Sequence, residues 1–203
     1  MNAESYQDAK NKVLLGDYSV GDFFEQNNLI LEYGYCRLLL GDLEGANAAF
    51  CKIAKQDFRA NWGKKLIPFI KGYISVIPSY FQIRNFLEID LNLLIQSGQV
   101  QFVENIINCA DLFYSVNPES YKFIARVMLY NNFTEIALNY LMKAKEKFYY
   151  DPEMHFMLAS CYIKKGDETL AKEAINNCLN ILPNYFPAKK LLGSIKSTIS
   201  FVE

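Results

Sequence analysis

The side chains that could carry out chemistry are few, and they stand apart along the chain. The 203 residues include one histidine, His155, so there is no second histidine with which to build a zinc site. The five cysteines form an odd set without a close pair: Cys36, Cys51, Cys109, Cys161 and Cys178. This spacing indicates reduced, buried thiols. Neither a glycine-rich phosphate loop nor a nucleophile elbow is present. The sequence therefore predicts a protein that is not an enzyme and uses no cofactor or metal.

Three of the chemically capable residues also have a structural interpretation. His155 stands 34 residues after Tyr121, in a position for a large packed side chain, which favours packing over a role as base or ligand. Cys178 stands in the same relation to Ala144 and is predicted to be a small buried residue rather than a reactive thiol. Asp90 falls at an apolar position. It is either a functional acid or a carboxylate that turns outward or accepts a hydrogen bond from a nearby turn.

A stretch that repeats itself organises the chain. Written from Pro118, one unit reads PESYKFIARVMLYNNFTEIALNYLMKAKEKFYYD, and from Pro152 the next reads PEMHFMLASCYIKKGDETLAKEAINNCLNILPNY. Side chains of matching size recur at an offset of 34 residues: Ile124 with Leu158, Ala125 with Ala159, Ala137 with Ala171, and Leu141 with Ile175. Apolar spacings of three and four predict two amphipathic helices in each unit. Such a pair buries its apolar faces only when it stacks on a neighbour.

The repeated unit resembles the tetratricopeptide repeat, which has the same period. The positions that carry the resemblance are Leu158, Ala159, Tyr162, Gly166, Asp167, Ala171 and Pro183. The resemblance implies an all-α fold, in which antiparallel helix pairs form an α-solenoid with a right-handed superhelical twist. It also implies a scaffold that binds other proteins.

The resemblance extends over most of the chain, with units of unequal quality, and we expect residues 1–203 to form a single domain. Gly34 takes the small position of a first helix, and Phe50 takes a filling position of the second helix. The predicted units are 1–26 (imperfect repeat or N-terminal cap), 27–59 (repeat), 60–83 (inserted helix), 84–117 (degenerate repeat), 118–151 and 152–185 (repeats), and 186–203 (C-terminal capping helix).

The inserted segment 60–83 is the part least like the family. Its apolar residues recur at helical spacing, which predicts one helix that is kinked or restarted near Pro68 and stopped by Pro78. Two interpretations remain open. The segment is either an extra helix that packs internally between two repeat blocks, or an exposed apolar stripe used for homodimer formation or for gripping a partner.

Charge and hydropathy exclude some classes of protein. A net charge of −1 and a pI near 5.9 give no electrostatic footprint for nucleic acid. No apolar run is long enough for a membrane span, and the first residues lack the apolar core of a signal peptide, so we expect a cytoplasmic protein.

The family resemblance also implies a binding surface. First helices of successive repeats line the concave face in this family, and matching them position by position gives a mixed polar and apolar set. The residues predicted to contact a peptide are Tyr35, Leu38, Asn92, Lys122, Arg126, Phe156 and Ser160. A segment with apolar anchors and an acidic group fits this set.

Three classes of function follow from this reading. The first is a non-enzymatic adaptor or assembly scaffold that binds a peptide or protein segment on the concave face. The second is a small chaperone of the same repeat type that holds a secreted or aggregation-prone client. A nucleic-acid binder of a related helical-repeat type is disfavoured by the period and by the charge.

Overall fold

The computed structural model describes residues 3–199, and within them the side chains of residues 4–195. Over this range every regular element is helical, as the sequence predicts, and adjacent helices pack against one another. The first two and last four residues of the predicted terminal caps lie outside the described residues. The chain divides into two compact units, Met1–Pro118 and Glu119–Glu203, so the division falls at the predicted start of the repeat at residue 118.

The first unit contains nine α-helices, a 3-10 turn and a π turn within the part of the chain described. The α-helices are α1 Ala3–Leu14, α2 Gly21–Gln26, α3 Ile30–Leu39, α4 Leu43–Ile53, α5 Phe58–Ile70, α6 Tyr80–Gln82, α7 Glu88–Gln96, α8 Val100–Ile107 and α9 Ala110–Val116. The 3-10 turn is Tyr18–Val20, and the π turn Ile83–Leu87 joins α6 to α7. Helices α3 and α4 form a hairpin, and α5 packs on α4 and α8.

The second unit contains two hairpins followed by a last helix. The helices are α10 Ser120–Tyr130, α11 Thr134–Lys145, α12 Pro152–Lys164, α13 Glu168–Ile181 and α14 Phe186–Ile199. Helix α10 packs on α11 and α12 packs on α13, while α10 and α12, the first helices of the two repeats, also contact each other. This is the pairing that the two repeats predict.

Left-handed residues end the helices at a regular interval. Gly98, Asn132 and Gly166 have φ values of 80°, 66° and 78°, and they stand 34 residues apart. In each case the next residue donates its N–H to the carbonyl five positions earlier, for example Asp167 to Tyr162 at 2.9 Å, which closes the helix end. Glycine reaches this conformation without strain, and asparagine is the commonest substitute. The repeat period is therefore visible in the backbone as well as in the side chains.

The Gly-Asp pairs of the sequence both end one helix and begin the next. Gly41 has a φ of 85°, and the Asp42 side chain that follows accepts a hydrogen bond from the Gly45 N–H at 2.9 Å. Asp167 accepts one from the Leu170 N–H at the same distance. Each aspartate satisfies a helix N–H that would otherwise have no partner. This chemistry explains why the connections within the hairpins are so short.

The inserted segment differs from its prediction, because α5 ends at Ile70 rather than near Pro78. Gly72, with a φ of 80°, ends the helix, and Tyr73 donates its N–H to the Pro68 carbonyl at 3.0 Å. The helical part is interior to the unit, since Trp62, Leu66 and five other residues of α5 are buried. Residues 71–79 are not helical. The internal interpretation thus applies to α5, whereas residues 71–77, which follow it, are exposed.

The core of the first unit depends on a ring held between two glycines. Phe50 is fully buried, and its ring lies against Gly34 of α3 on one side and Gly63 of α5 on the other. A Cβ atom added at Gly34 would lie 2.6 Å from Phe50 Cε1, and one added at Gly63 would lie 2.7 Å from Cε2. Both glycines are therefore required for the close approach of three helices, although only Gly34 belongs to the predicted repeat.

The substitution Gly34→Ala tests this packing. We expect it to lower the free energy of unfolding by about 1–3 kcal/mol, because the ring has no space into which to move. This loss exceeds the gain in helix propensity from alanine, which is about 1 kcal/mol. Urea unfolding followed by circular dichroism measures the change.

Gly193→Ala in α14 is the matched control for this measurement. Among the described residues, no atom beyond its chain neighbours and the local helix backbone lies within 4 Å of the position that its Cβ would take. We expect a neutral effect or a stabilisation of about 0.4–1 kcal/mol. Equal effects of the two substitutions would contradict the packing argument.

Candidate functional site

The first helices of the two hairpins in the second unit bring together four of the predicted contact residues. Lys122 and Arg126 stand one turn apart on α10, and Phe156 and Ser160 stand one turn apart on α12. All four side chains are partly exposed. Since α10 contacts α12, these residues form one surface.

Ion pairs between the helices fix the polar part of this surface. Lys122 Nζ lies 2.6 Å from Asp151 Oδ2, 3.3 Å from Glu119 Oε1 and 3.6 Å from Glu153 Oε2, and Arg126 Nη2 lies 2.8 Å from Glu153 Oε1. We refer to Glu119, Lys122, Arg126, Asp151 and Glu153 as the charged row. It contains two cations and three carboxylates. A ligand carboxylate would therefore compete with carboxylates that already hold both cations.

Asp151 has two functions in this arrangement. As the N-cap of α12 its Oδ1 accepts hydrogen bonds from the N–H groups of Glu153 and Met154, at 2.9 and 3.2 Å, while Oδ2 binds Lys122. Only 13% of the Lys122 side chain is exposed. Burial acts to lower the pKa of Lys122, but the hydrogen bond from its ammonium to Asp151 and the charges of Asp151 and Glu119 outweigh burial and raise it. The lysine stays charged and is held in one position.

An aromatic pair forms the apolar part of the same surface. The Phe156 ring meets the Tyr185 ring edge to face, with centroids 5.7 Å apart. Ser160 donates its hydroxyl to the Phe156 carbonyl at 3.0 Å, so its hydroxyl oxygen remains available as an acceptor. Tyr185 was not among the predicted contacts, because it follows α13 and belongs to no first helix.

The other three predicted contact residues lie in the first unit. Leu38 is 1% exposed and packs in the core, so its side chain offers no area to a ligand in this structure. Asn92 is partly exposed on α7. Tyr35 is partly buried, and its hydroxyl donates a hydrogen bond of 3.3 Å to Asp90 Oδ2.

Asp90 is the centre of a buried polar cluster that the sequence analysis did not predict. It is 1% exposed, and besides Tyr35 it accepts hydrogen bonds from the Arg59 guanidinium and the Trp62 indole N–H. The Arg59 guanidinium lies between two rings, 4.5 Å from the Tyr35 centroid and 4.4 Å from the Phe86 centroid. The carboxylate thus turns neither outward nor to a local turn.

Burial sets the protonation behaviour of this cluster. Burial raises the pKa of the Asp90 carboxyl, and the charge of Arg59 with the three hydrogen bonds opposes that rise. Burial, together with the negative charge of Asp90, raises the pKa of the Tyr35 hydroxyl well above its ordinary value, which keeps it a donor. The cluster joins α3, α5 and α7 through a carboxylate that is itself buried.

The partners of Asp90 are distant in sequence, but one signal could have indicated them. Arg59 and Trp62 are three residues apart, which places both donors on one face of a helix. A carboxylate at an apolar position of one helix requires such donors on another. Their pairing joins residues 28 and 31 positions apart, beyond what a local pattern predicts.

His155 is fully buried, as its predicted packing role requires. Its Nε2–H donates to the Tyr149 carbonyl at 2.7 Å, and its ring meets the Tyr149 ring edge to face. Burial lowers the pKa of His155, although the hydrogen bond to Tyr149 acts in the opposite direction. The neutral imidazole is therefore the form that the fold accommodates.

Two further properties follow from the residues that the structure describes. Among them, no group of three or more His, Cys, Asp or Glu side chains is arranged to hold a metal ion. Over the same range, no helix has the length and apolar character needed to cross a membrane. Comparison of the chain with protein-family models, with curated proteins and with solved structures gives no match.

The Asp90 cluster leads to a double-mutant prediction. In Asp90→Leu, the Arg59 guanidinium loses its carboxylate partner while it remains largely buried. We therefore expect the free energy of unfolding to fall by about 3–5 kcal/mol. In the double variant Asp90→Leu, Arg59→Met most of this loss should be recovered, because no uncompensated charge remains. Chemical denaturation of the four proteins of the cycle gives the coupling energy. A double variant no more stable than Asp90→Leu would show that the ion pair is not the reason for the loss.

His155 leads to a prediction about pH. Because the pKa in the folded protein lies below the ordinary value of 6.5, the unfolded chain binds a proton first as the pH falls. The contribution of His155 to stability is complete above about pH 6.5 and is lost as the pH falls through the folded pKa. His155→Tyr introduces the residue type found at the matching position of the preceding repeat, where Tyr121 is also buried. We expect a smaller loss of unfolding free energy between pH 7.5 and 5.5 in this variant, and equal losses would contradict the argument.

Proposed function

We propose that the chain is a non-enzymatic interaction module of the tetratricopeptide type, an α-solenoid that binds a protein segment. One observation carries the proposal: α10 and α12 contact each other and present, on one surface, an aromatic pair beside a row of fixed charges. A flat or concave helical surface of this mixed chemistry is suited to an extended or helical segment that sets one large apolar side chain against the rings.

The charged row contributes selectivity rather than affinity in this proposal. Its cations already have carboxylate partners at 2.6–3.6 Å, so a new charge gains little on binding. The affinity therefore comes from burying the rings of Phe156 and Tyr185, which lose their contact with water at little cost. The row fixes the register of the segment, because a misplaced charge would lie against a like charge. A segment with polar groups of both signs beside its apolar anchor fits this surface better than a purely acidic one.

A library of random peptides displayed on phage, selected against the full chain, tests the proposal. We expect enriched peptides to share an apolar anchor, and Phe156→Ser to weaken their binding about 30-fold or more, as for a buried aromatic hot spot. Leu170→Ser on α13 is the matched control, since this side chain is 38% exposed on a second helix. It should leave binding within about twofold, the range of a residue outside the contact.

A charge exchange separates recognition from folding. Arg126→Glu places an acid beside Glu153, and the double variant Arg126→Glu, Glu153→Arg restores the ion pair in reversed order. We expect the double variant to unfold at a higher temperature than Arg126→Glu, although below the wild type because the Lys122–Glu153 contact at 3.6 Å is lost, and to bind the selected peptides about tenfold more weakly, because the register charges are reversed. If no shared motif emerges, or if Phe156→Ser binds the selected peptides as the wild type does, the proposed surface is wrong.

A further inference from the structure

The segment that follows α5 exposes a cluster of apolar side chains. Between Gly72 and the π turn, six large apolar residues have from 38% to 64% of their surface exposed, and we call them the apolar loop: Tyr73, Ile74, Val76, Ile77, Tyr80 and Phe81. Most of them lie in the non-helical residues 71–79. A contiguous exposed patch of this kind marks a surface that contacts a protein or a membrane.

The exposure is a local property of this loop and does not reflect weak packing around it. Immediately before it, Leu66, Phe69 and Ile70 are at most 1% exposed, and immediately after it Ile83 is fully buried. The loop is anchored at both ends. Tyr73 N–H bonds to the Pro68 carbonyl, and Ser79 forms a capping box with Gln82. The apolar side chains are therefore exposed on a loop whose two ends are fixed by hydrogen bonds.

The chain segment that contains the loop carries charge of one sign. From Phe58 to Leu87 the chain carries no Asp or Glu, but it carries five cations: Arg59, Lys64, Lys65, Lys71 and Arg84. Arg59 forms an ion pair with Asp90, and Lys65 Nζ donates a hydrogen bond of 3.0 Å to Gln82 Oε1. The other three flank the loop.

These three cations stand on either side of the apolar loop in sequence, Lys64 and Lys71 before it and Arg84 after it. Lys64 and Lys71 are seven residues apart, which is two helical turns, so they stand on the same side of α5 and its cap. Arg84 Nη1 donates a hydrogen bond of 3.5 Å to the Tyr80 hydroxyl oxygen. Lys71 pairs with Glu44, whose side chain is 83% exposed, so water and salt can compete for that contact.

We propose that the apolar loop, with Lys64, Lys71 and Arg84, docks the protein on the surface of an anionic lipid bilayer. Aliphatic and aromatic side chains bordered by cations match the interface, where apolar groups enter the acyl boundary and cations meet lipid phosphates. Tyrosines favour this depth because their rings are apolar and their hydroxyls polar. Since the backbone of residues 71–79 is not helical, it stays at the level of the headgroups, and only side chains insert.

A second copy of the chain fits the loop less well than a bilayer does. In a two-fold dimer the patch faces a second copy of itself, so the cations of one copy would add to those of the other at the same interface. An apolar interface would then form inside a ring of like charges, which is unfavourable. A bilayer that contains anionic lipid supplies the opposite charge and an apolar layer together.

Co-sedimentation of the full-length protein with vesicles tests the proposal. We expect binding to phosphatidylcholine vesicles that contain phosphatidylserine, and binding weaker by about tenfold or more to phosphatidylcholine alone. High salt should weaken the binding, because it screens the cations from the lipid. Lys64→Gln with Arg84→Gln should cost about fivefold per cation on the anionic vesicles.

Matched triple variants locate the contact. Tyr73→Ser, Ile74→Ser, Ile77→Ser should lower vesicle binding about tenfold or more, because three inserting side chains are lost. The control, Leu14→Ser, Leu15→Ser, Tyr150→Ser, removes side chains that are 79–86% exposed elsewhere and should bind as the wild type does. All six positions are exposed, so circular dichroism should show an unchanged fold in both variants.

A fluorescent probe gives an independent readout. Trp62 is the only tryptophan and is buried, so its emission should not respond to lipid. Ile74→Trp should add a component that shifts to shorter wavelength on phosphatidylserine vesicles. The proposal is overturned if this component does not shift, or if the two triple variants bind vesicles equally. It is equally overturned if sedimentation shows a dimer that the loop variant alone abolishes while no form binds vesicles.

Discussion

The helices of this protein are too short to be stable alone, and this constraint governs the rest of the structure. The longest described, α13 and α14, have 14 residues each, within the range where isolated helices are marginal in water. Each must therefore bury its apolar face against a neighbour, and the neighbour must be close in sequence because the turns are short. Left-handed caps at Gly98, Asn132 and Gly166 make such turns possible. The 34-residue period is a consequence of this pairing.

The same constraint explains which parts of the fold could be predicted from sequence. Helix ends marked by Gly-Asp pairs were predictable, because the cap and the N-cap are local chemistry. Asn132 is the position where the pattern gave no glycine, yet the backbone requires the same φ there. Helix α5 ends at Ile70, earlier than the predicted end near Pro78, because the left-handed Gly72 ends a helix as effectively as a proline does.

Long-range polar contacts were the part that local patterns could not reveal. Asp90 fell at an apolar position, and only the placement of Arg59 and Trp62 on a different helix shows why a carboxylate is tolerated there. Lys122 and Arg126 share one face of α10, but the pattern did not reveal their carboxylate partners, because Asp151 stands at the end of the same repeat and Glu153 at the start of the next. Sequence therefore indicated which residues share a face. It did not indicate that their charges are already satisfied.

The two candidate surfaces differ in where their binding energy would come from. The charged row is satisfied within the fold, so a ligand there must gain its energy from Phe156 and Tyr185, and the charges only reject poor matches. The apolar loop is the opposite case: its side chains are exposed between two fixed ends, and burying them would gain free energy. The two proposals thus assign a selective surface and an adhesive one to a single small chain. Their chemistries are different enough that neither needs the other in order to act.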